Sequence, residues 1–370
     1  MEGVEMITYN TRVVEKKDVA YIHSRARHEF EILSGNSVLL TGANGFLGFY
    51  IIKSILAWNE KNPEKKIKLY ALSTFTSQIP NWMTAKRSDL IILREDITTY
   101  RFLRNQAYDY IIHAASIASP TFYRKYPIET INANVQGLYN ILDYLIFRKN
   151  SKKPVKGLLY FSSSEIYGDP TYGNIPTGEE YSGNVSCTGP RACYDESKRF
   201  CETLCVNYFR VHNLPIKIAR PFNNYGPGMK ITDGRVIADF SKNIIENKDI
   251  VMFSSGKPSR TFCYVADAIV GYLKILTRGR NGQAYNIGVE RPEISISELA
   301  RKMIKIAGRY FNYKGRLRIK ESKDRKYLTD NPQRRCPNIA RAKSELGYNP
   351  EITLDEGLRR TLEWYSESHT

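Results

Sequence analysis

The chain has 370 residues, 42% of them hydrophobic, and sets 55 Lys+Arg against 38 Asp+Glu for a formal net charge of +17. That length holds one large domain or two closely joined lobes with ample core, and no apolar run reaches membrane-span length, which excludes a helical membrane protein. The excess charge raises nucleic acid, an anionic membrane surface or a small phosphorylated substrate as partners. Segments such as "EKKIK", "RKNSKK" and "KGRLRIKESKDRK" are scattered and mixed with acids, so the reading is a solvated basic surface, with no nucleic acid and no membrane as partner.

Residues 1–35 are charged throughout and lack a signal-peptide apolar region. They form an appendage whose later part, "DVAYIHSRARHEFEIL", has the spacing of an amphipathic helix. Short apolar runs then predict strands at 37–41, 67–72, 89–93, 108–115, 156–163 and 215–220. Helical patterns lie near 46–59, 127–149 and 190–212. Strands alternating with helices specify a parallel sheet wrapped on both faces, a Rossmann-type doubly wound α/β fold. After "RPFNNYGPG" the spacing loosens, which marks a smaller C-terminal substrate-binding lobe. The expected division is 1–35 appendage, 36–220 dinucleotide-binding and 221–370 mainly substrate-binding, with some chain exchange between lobes. The six cysteines include no CxxC pair. Cys201 and Cys205 share a helix face without a histidine cluster, so no metal is expected, and the setting is a reduced, cytoplasmic one.

"SVLLTGANGFLG" places Gly42, Gly45 and Gly48 between an apolar strand and a helix start. Glycines let the backbone turn tightly beside a pyrophosphate, and the helix N-terminus offers free N–H groups and partial positive charge. A dinucleotide cradle follows, formed by Gly42, Asn44, Gly45, Phe46, Leu47 and Gly48. The carboxylate that usually holds the adenosine ribose after the second strand is missing, since "LYALSTFTSQ" has Leu72, Ser73 and Thr74 there. NAD is the default cofactor and NADP stays open. Asp96 and Ile97 in "REDITT" are placed against the adenine, and Ala114, Ala115 and Ser116 in "HAAS" are small enough for a cofactor to lie close.

"GPRACYDESKR" sets Tyr194 and Lys198 four apart, on one helix face. A phenol near pKa ~10 is a poor base at neutral pH, but a cation one turn away and a positively charged nicotinamide favour the phenolate. Tyr194 can then take a hydroxyl proton from a sugar carbon while hydride leaves that carbon. Ser163, in "YFSSSEIYG", can hydrogen-bond the same hydroxyl. A second Tyr-x-x-x-Lys, Tyr310 to Lys314, lacks an upstream serine strand and reads as surface.

These three elements in this order resemble the extended short-chain dehydrogenase/reductase family, the nucleotide-sugar epimerases, dehydratases and decarboxylases. "GPRACYDESKRFCETL", "SSSEIYGDP", "NNYGPGMKITDGRV", "SRTFCYVADA" and "DNPQRRCPNIARAKSELGYNP" are most similar to segments of UDP-glucuronate decarboxylases. The likeness runs from about Ser37 to the C-terminus. Dehydratases of the family carry Thr-Asp-Glu where this chain has Ser163, Ser164 and Glu165, so the acid that helps expel a hydroxyl is a serine here. The resemblance makes Tyr194 base and then acid, and Lys198 its electrostatic partner and a ribose contact. Glu165 and Ser164 steer the carboxylate and C5, and Arg335 contacts that end of the sugar. It assigns Ser119 and Tyr123 to the sugar, Asn223 to its phosphate, and Arg235 and Arg260 to the uridine diphosphate. Arg191 is read as local structure.

Two segments depart from the decarboxylase pattern. Ser186, Cys187 and Thr188 stand where those enzymes read Asn-Pro-Ile or similar, and Gly228 stands where they carry arginine. The resemblance implies NAD-dependent decarboxylation of UDP-glucuronate to UDP-xylose by a homodimer joined through the helices near 127–149 and 190–212. The alternatives are a 4,6-dehydratase or 4-epimerase on another nucleotide sugar and, from a different class, a non-catalytic NAD- or RNA-binding protein.

Overall fold

The computed structural model describes residues 13–75, 79–84, 87–320 and 329–369. It begins with helices α1 (Val13–Arg25) and α2 (Arg27–Leu33), which break at Ala26, where the backbone leaves helical geometry. There follow β1 (Ser37–Thr41), α3 (Phe46–Lys61), β2 (Lys68–Ser73), α4 (Asn81–Thr84), β3 (Leu90–Arg94) and β4 (Tyr110–His113). Next come α5 (Pro120–Lys125), α6 (Pro127–Lys149), β5 (Gly157–Phe161), α7 (Ala192–His212) and β6 (Ile216–Pro221). Every predicted strand and helix of this stretch is present. The later chain adds β7 (Asn224–Tyr225), α8 (Val236–Ile245), β8 (Ile250–Met252), β9 (Ser259–Arg260), β10 (Cys263–Tyr264) and α9 (Val265–Arg278). It ends with β11 (Ala284–Ile287), β12 (Ile294–Ser295), α10 (Ile296–Phe311), β13 (Leu317–Ile319), β14 (Arg334–Arg335), α11 (Ala340–Leu346) and α12 (Leu354–His369).

Among the described residues, seven parallel strands form the main sheet in the order β11-β6-β5-β4-β1-β2-β3. β4 and β5 are buried along their whole length, as strands covered on both faces must be, which is why they read as unbroken apolar runs. One face packs with α3 and α9 in a core that includes Val38, Leu40, Ile55 and Ile269. The other packs with α6 and α7 around Leu39, Ile111, Leu142 and Cys205. The strand order reverses between β1 and β4, and the crevice beyond their C-terminal ends is where such sheets bind ligands. The seventh strand, β11, enters from beyond residue 220 and pairs with β6 from Ala284↔Ile218 to Ile287↔Pro221.

The N-terminal helices are part of this core. Ile22, Ala26, Phe30 and Leu33 are fully buried in the same cluster as β1 and α9. α1 also ties two regions together. Its buried Asp18 accepts hydrogen bonds from Tyr50 of α3 at 2.6 Å, Tyr264 of β10 at 2.6 Å and Arg360 of α12 at 2.7 Å. Glu15 takes Lys53 at 2.5 Å and Trp364 at 2.7 Å. The described part of the appendage therefore covers its own chain.

Candidate active site

A cleft of about 450 Å³ opens over the switch point, walled by the loops after β1, β4, β5 and β6 and by segments of the later chain. The turn after β1 brings Gly42, Gly45, Phe46, Leu47 and Gly48 to its floor. Gly42 has φ +72, and a Cβ there would lie 2.7 Å from the Ala114 carbonyl, so only glycine permits this crossing. α3 has no acid in its first turn and no side-chain cap, which leaves its N-terminal N–H groups and dipole available to an anion. His113 Nδ1 and Thr41 Oγ1 bond at 2.8 Å, and Thr41 Oγ1 accepts from Ala115 N at 3.2 Å, which fixes the loop after β4. Ser116 lines the cleft with a buried Oγ that has no hydrogen-bond partner. A glycine cradle, an uncapped helix start and an orphaned hydroxyl fit a dinucleotide.

Ser163, two residues beyond β5, caps a short helical turn by accepting from Glu165 N at 3.2 Å. Across the cleft, α7 presents Tyr194 and Lys198 on one buried face. Tyr194 stacks on Tyr123 with ring centroids 5.1 Å apart, and the Tyr123 hydroxyl is buried without a partner. Lys198 donates to the Phe161 carbonyl at 2.8 Å, and its Nζ lies 5.8 Å from the Tyr194 ring centroid. The expected lowering of the phenol by this lysine is not what the site shows. Burial pushes Tyr194 up to about 12, opposed by the Ser163 hydroxyl and by Arg235. Burial also brings Lys198 down to about 8. Desolvation is the largest cause in both groups because both sit inside the protein.

Glu165 is the centre of a charged cluster. Its carboxylate pairs with Arg191 and with Arg335, the latter at 3.1 Å. Burial pushes Glu165 up, but Arg191, Arg335 and Arg260 more than offset this and hold it below the ordinary range. Asp195, 3.5 Å from Arg191 Nε, goes the other way, up to about 7, through burial and the nearby Glu165 charge. Arg260 comes down to about 10 through burial and the neighbouring Arg335.

Of the residues singled out from sequence, Tyr123, Ser164, Glu165, Ala114, Asn223, Arg235 and Arg260 also line the cleft. Asn223 donates to the Thr261 carbonyl at 2.9 Å, and Arg235 pairs with Asp233 at 2.5 Å. Asn44, Ala115, Asp96, Ile97, Ser119 and Arg335 are not among the lining residues. Ile97 is buried against Gly137 of α6, and Asp96 closes its own turn by accepting from Thr98 N at 2.8 Å. Ser119 donates to the Asp233 carbonyl at 2.5 Å. Arg335, only 2% exposed, lies behind Glu165 and also donates to the Ser164 and Gly168 carbonyls. Ser186, Cys187 and Thr188 are exposed and away from the lining, while Gly228 has φ +88 and would set a Cβ 2.7 Å from the Phe49 ring. An arginine does not fit at 228 beside Phe49, which packs edge-on to Tyr50, Trp82 and Trp364.

Sequence reasoning missed Arg191. It lines the cleft, donates to Asn331 Oδ1 at 2.8 Å as well as to Glu165, and sits 5.8 Å from the Tyr123 ring centroid. The available signal was its place three residues before Tyr194, where the turn into α7 points a side chain at the same space.

Known proteins place this architecture. The description "NAD dependent epimerase/dehydratase family" matches residues 38–288. UDP-glucuronic acid decarboxylase 6 of Arabidopsis thaliana is 36% identical over 328 residues, 88% of this chain and 87% of that protein. UDP-glucuronic acid decarboxylase 1 of Xenopus tropicalis is 31% identical over 331 residues, 89% of this chain and 72% of that protein. The dTDP-glucose 4,6-dehydratase DesIV of Streptomyces venezuelae, solved with NAD, shares the fold at a TM-score of 0.75 and 22% identity, over 90% of this chain and 98% of that one. Matched along most of its length, the chain belongs to the NAD-dependent epimerase/dehydratase family.

Proposed function

We propose that this protein is an NAD-dependent decarboxylase that converts UDP-glucuronate to UDP-xylose and carbon dioxide. The sequence likeness to UDP-glucuronic acid decarboxylases supports the substrate, and the site supports the reaction. The observation that carries it is the state of the carboxylate beside Tyr194. Expelling a hydroxyl, as a dehydratase does, needs a proton donor at that place. Here Ser164 replaces one acid, Glu165 is held ionised by Arg191 and Arg335, and Asp195, raised to about 7, is not among the residues that line the cleft. Decarboxylation needs no such donor.

Bound NAD supplies the acceptor for hydride from C4 of the sugar and later its return. Tyr194 removes the proton of the C4 hydroxyl while Ser163 holds that oxygen, and both hydroxyls meet at one end of the cleft. The C4 ketone lies β to the carboxylate, so the C5–C6 bond breaks with its electron pair delocalised onto the ketone oxygen and carbon dioxide departs. C5 then takes a proton from solvent in place of the lost carboxylate, and once C4 is reduced again Tyr194 returns its proton to O4. Lys198 steadies the phenolate. Residues 36–220 hold the dinucleotide in this reading, with 221–370 supplying most nucleotide-sugar contacts, among them Asn223, Arg235 and Arg260. A homodimer through α6 and α7 is supported by Ile128, Ile131, Phe147 and Phe200, which these helices leave exposed. A reducing, cytoplasmic setting is supported by six unpaired cysteines.

Incubation with UDP-glucuronate and NAD, followed by anion-exchange chromatography and trapping of carbon dioxide, tests the assignment. UDP-xylose and carbon dioxide in equal amounts are expected. A 4-keto-6-deoxy product from a nucleotide hexose, with UDP-glucuronate untouched, would replace it by the dehydratase reading.

A further inference from the structure

Three guanidiniums, Arg191, Arg260 and Arg335, act on Glu165, while Asp195 faces Arg191 and Asp169 acts on Arg260. Two of these cations are pinned by the backbone. Arg335 donates to the Ser164 and Gly168 carbonyls, and Arg260 to those of Ser259, Pro332 and Gln333. Arg191 is different, since its polar partners are all side chains: Glu165, Asn331 and Asp195. It is 7% exposed, and its buried Nε makes no close hydrogen bond, facing only the Asp195 carboxylate at 3.5 Å. Among the three it alone combines an unsatisfied donor, a place in the cleft wall and anchors that can be exchanged. Its guanidinium also lies 5.8 Å from the ring centroid of Tyr123, which stacks on Tyr194, so it borders the same part of the cleft wall.

We propose that Arg191 is the residue that makes this cleft select a sugar bearing a carboxylate, taking that group in partial exchange for Glu165. The inference rests on the decarboxylase reading above. In this structure Glu165 holds the Arg191 guanidinium that a second carboxylate would share. When the sugar enters, a guanidinium fork can bind one oxygen of each carboxylate, whereas a neutral hydroxymethyl group offers the guanidinium no charge to pair with. Arg335, fixed by backbone carbonyls, keeps Glu165 in position during the exchange.

Calorimetric titration of UDP-glucuronate, UDP-glucose and UDP into the Y194F protein, which preserves the substrate, tests this in the parent and with R191Q or R191K added. Arg191→Gln is expected to cut the preference for UDP-glucuronate over UDP-glucose by roughly tenfold or more, with UDP affinity retained, and Arg191→Lys to restore part of it. If Y194F alone shows no preference for the uronate, the decarboxylase reading fails and this inference with it. If Y194F prefers the uronate and R191Q keeps that ratio, only the assignment of Arg191 is overturned. Should R191Q also lose UDP, the lysine variant decides: a weakened ratio with UDP retained supports the assignment, and an unchanged ratio overturns it.

Discussion

Replacing Asp18 measures how firmly the N-terminal helices are built into this enzyme. The carboxylate is fully buried and accepts from Tyr50, Tyr264 and Arg360. Asp18→Ala strands two buried phenols, each at about 1–3 kcal/mol, while Arg360 keeps Glu356 at 2.7 Å. A total of about 3–5 kcal/mol follows, the range found for breaking a buried pair from one side. Unfolding entropy near 2.1 cal/mol/K per residue gives about 0.8 kcal/mol/K for 370 residues, so the melting temperature falls by about 4–6 °C. Asp18→Asn keeps an acceptor and removes a charge whose burial raises the Asp18 pKa, so its loss is smaller. Thermal unfolding followed by circular dichroism reads both. A shift under 1 °C for D18A would show that α1 is a loosely attached cover, contrary to its contacts.

Tyr194→Phe should lower UDP-glucuronate turnover by about 10²–10⁴-fold, with NAD affinity preserved in a fluorescence titration; turnover within a few-fold of the parent removes Tyr194 from the chemistry. Gly42→Ala should abolish NAD binding, because the added Cβ meets the Ala114 backbone at a positive φ; calorimetry with NAD reads it. Lys217 is buried outside the cleft, and burial lowers it to about 8 from an ordinary value near ~10.4. Below pH 8 the folded chain bears the full cost of that ammonium, and the cost is relieved as pH rises toward the unfolded value. Lys217→Met should therefore raise the melting temperature most at pH 7, with the gain shrinking by pH 10. Gly228→Arg should lower the melting temperature by displacing Phe49 from its aromatic cluster, and an unchanged melt would mean the ring yields freely.

The six strands and three long helices from 37 to 221 were legible because each carries its own periodicity, whereas α4 and α5 are too short to show one, and Gly42, Ser163, Tyr194 and Lys198 sit at or near element ends that this pattern locates. The partners of Glu165 were not. Arg335 reaches it across 170 positions and Arg191 across 26, and no local spacing records a meeting of that kind. The phenol's upward shift was missed for a related reason. The four-residue interval to Lys198 announces a neighbouring cation but says nothing of the solvent both groups lose. The N-terminal helices were read as an appendage because their amphipathic pattern shows an apolar face without naming what covers it. Asp96 and Ile97 also have local structural work, closing a turn and packing on α6, which their sequence motif does not announce.

β11 has a bearing on how the protein is made. Until residues 284–287 have left the ribosome, β6 ends the nascent sheet with its outer hydrogen-bonding groups open. Such a bare margin invites pairing with another chain. More than two-thirds of the polypeptide must therefore emerge before the first lobe can seal itself, and a fragment stopped near residue 220 would be an aggregation hazard rather than a portable cofactor-binding module.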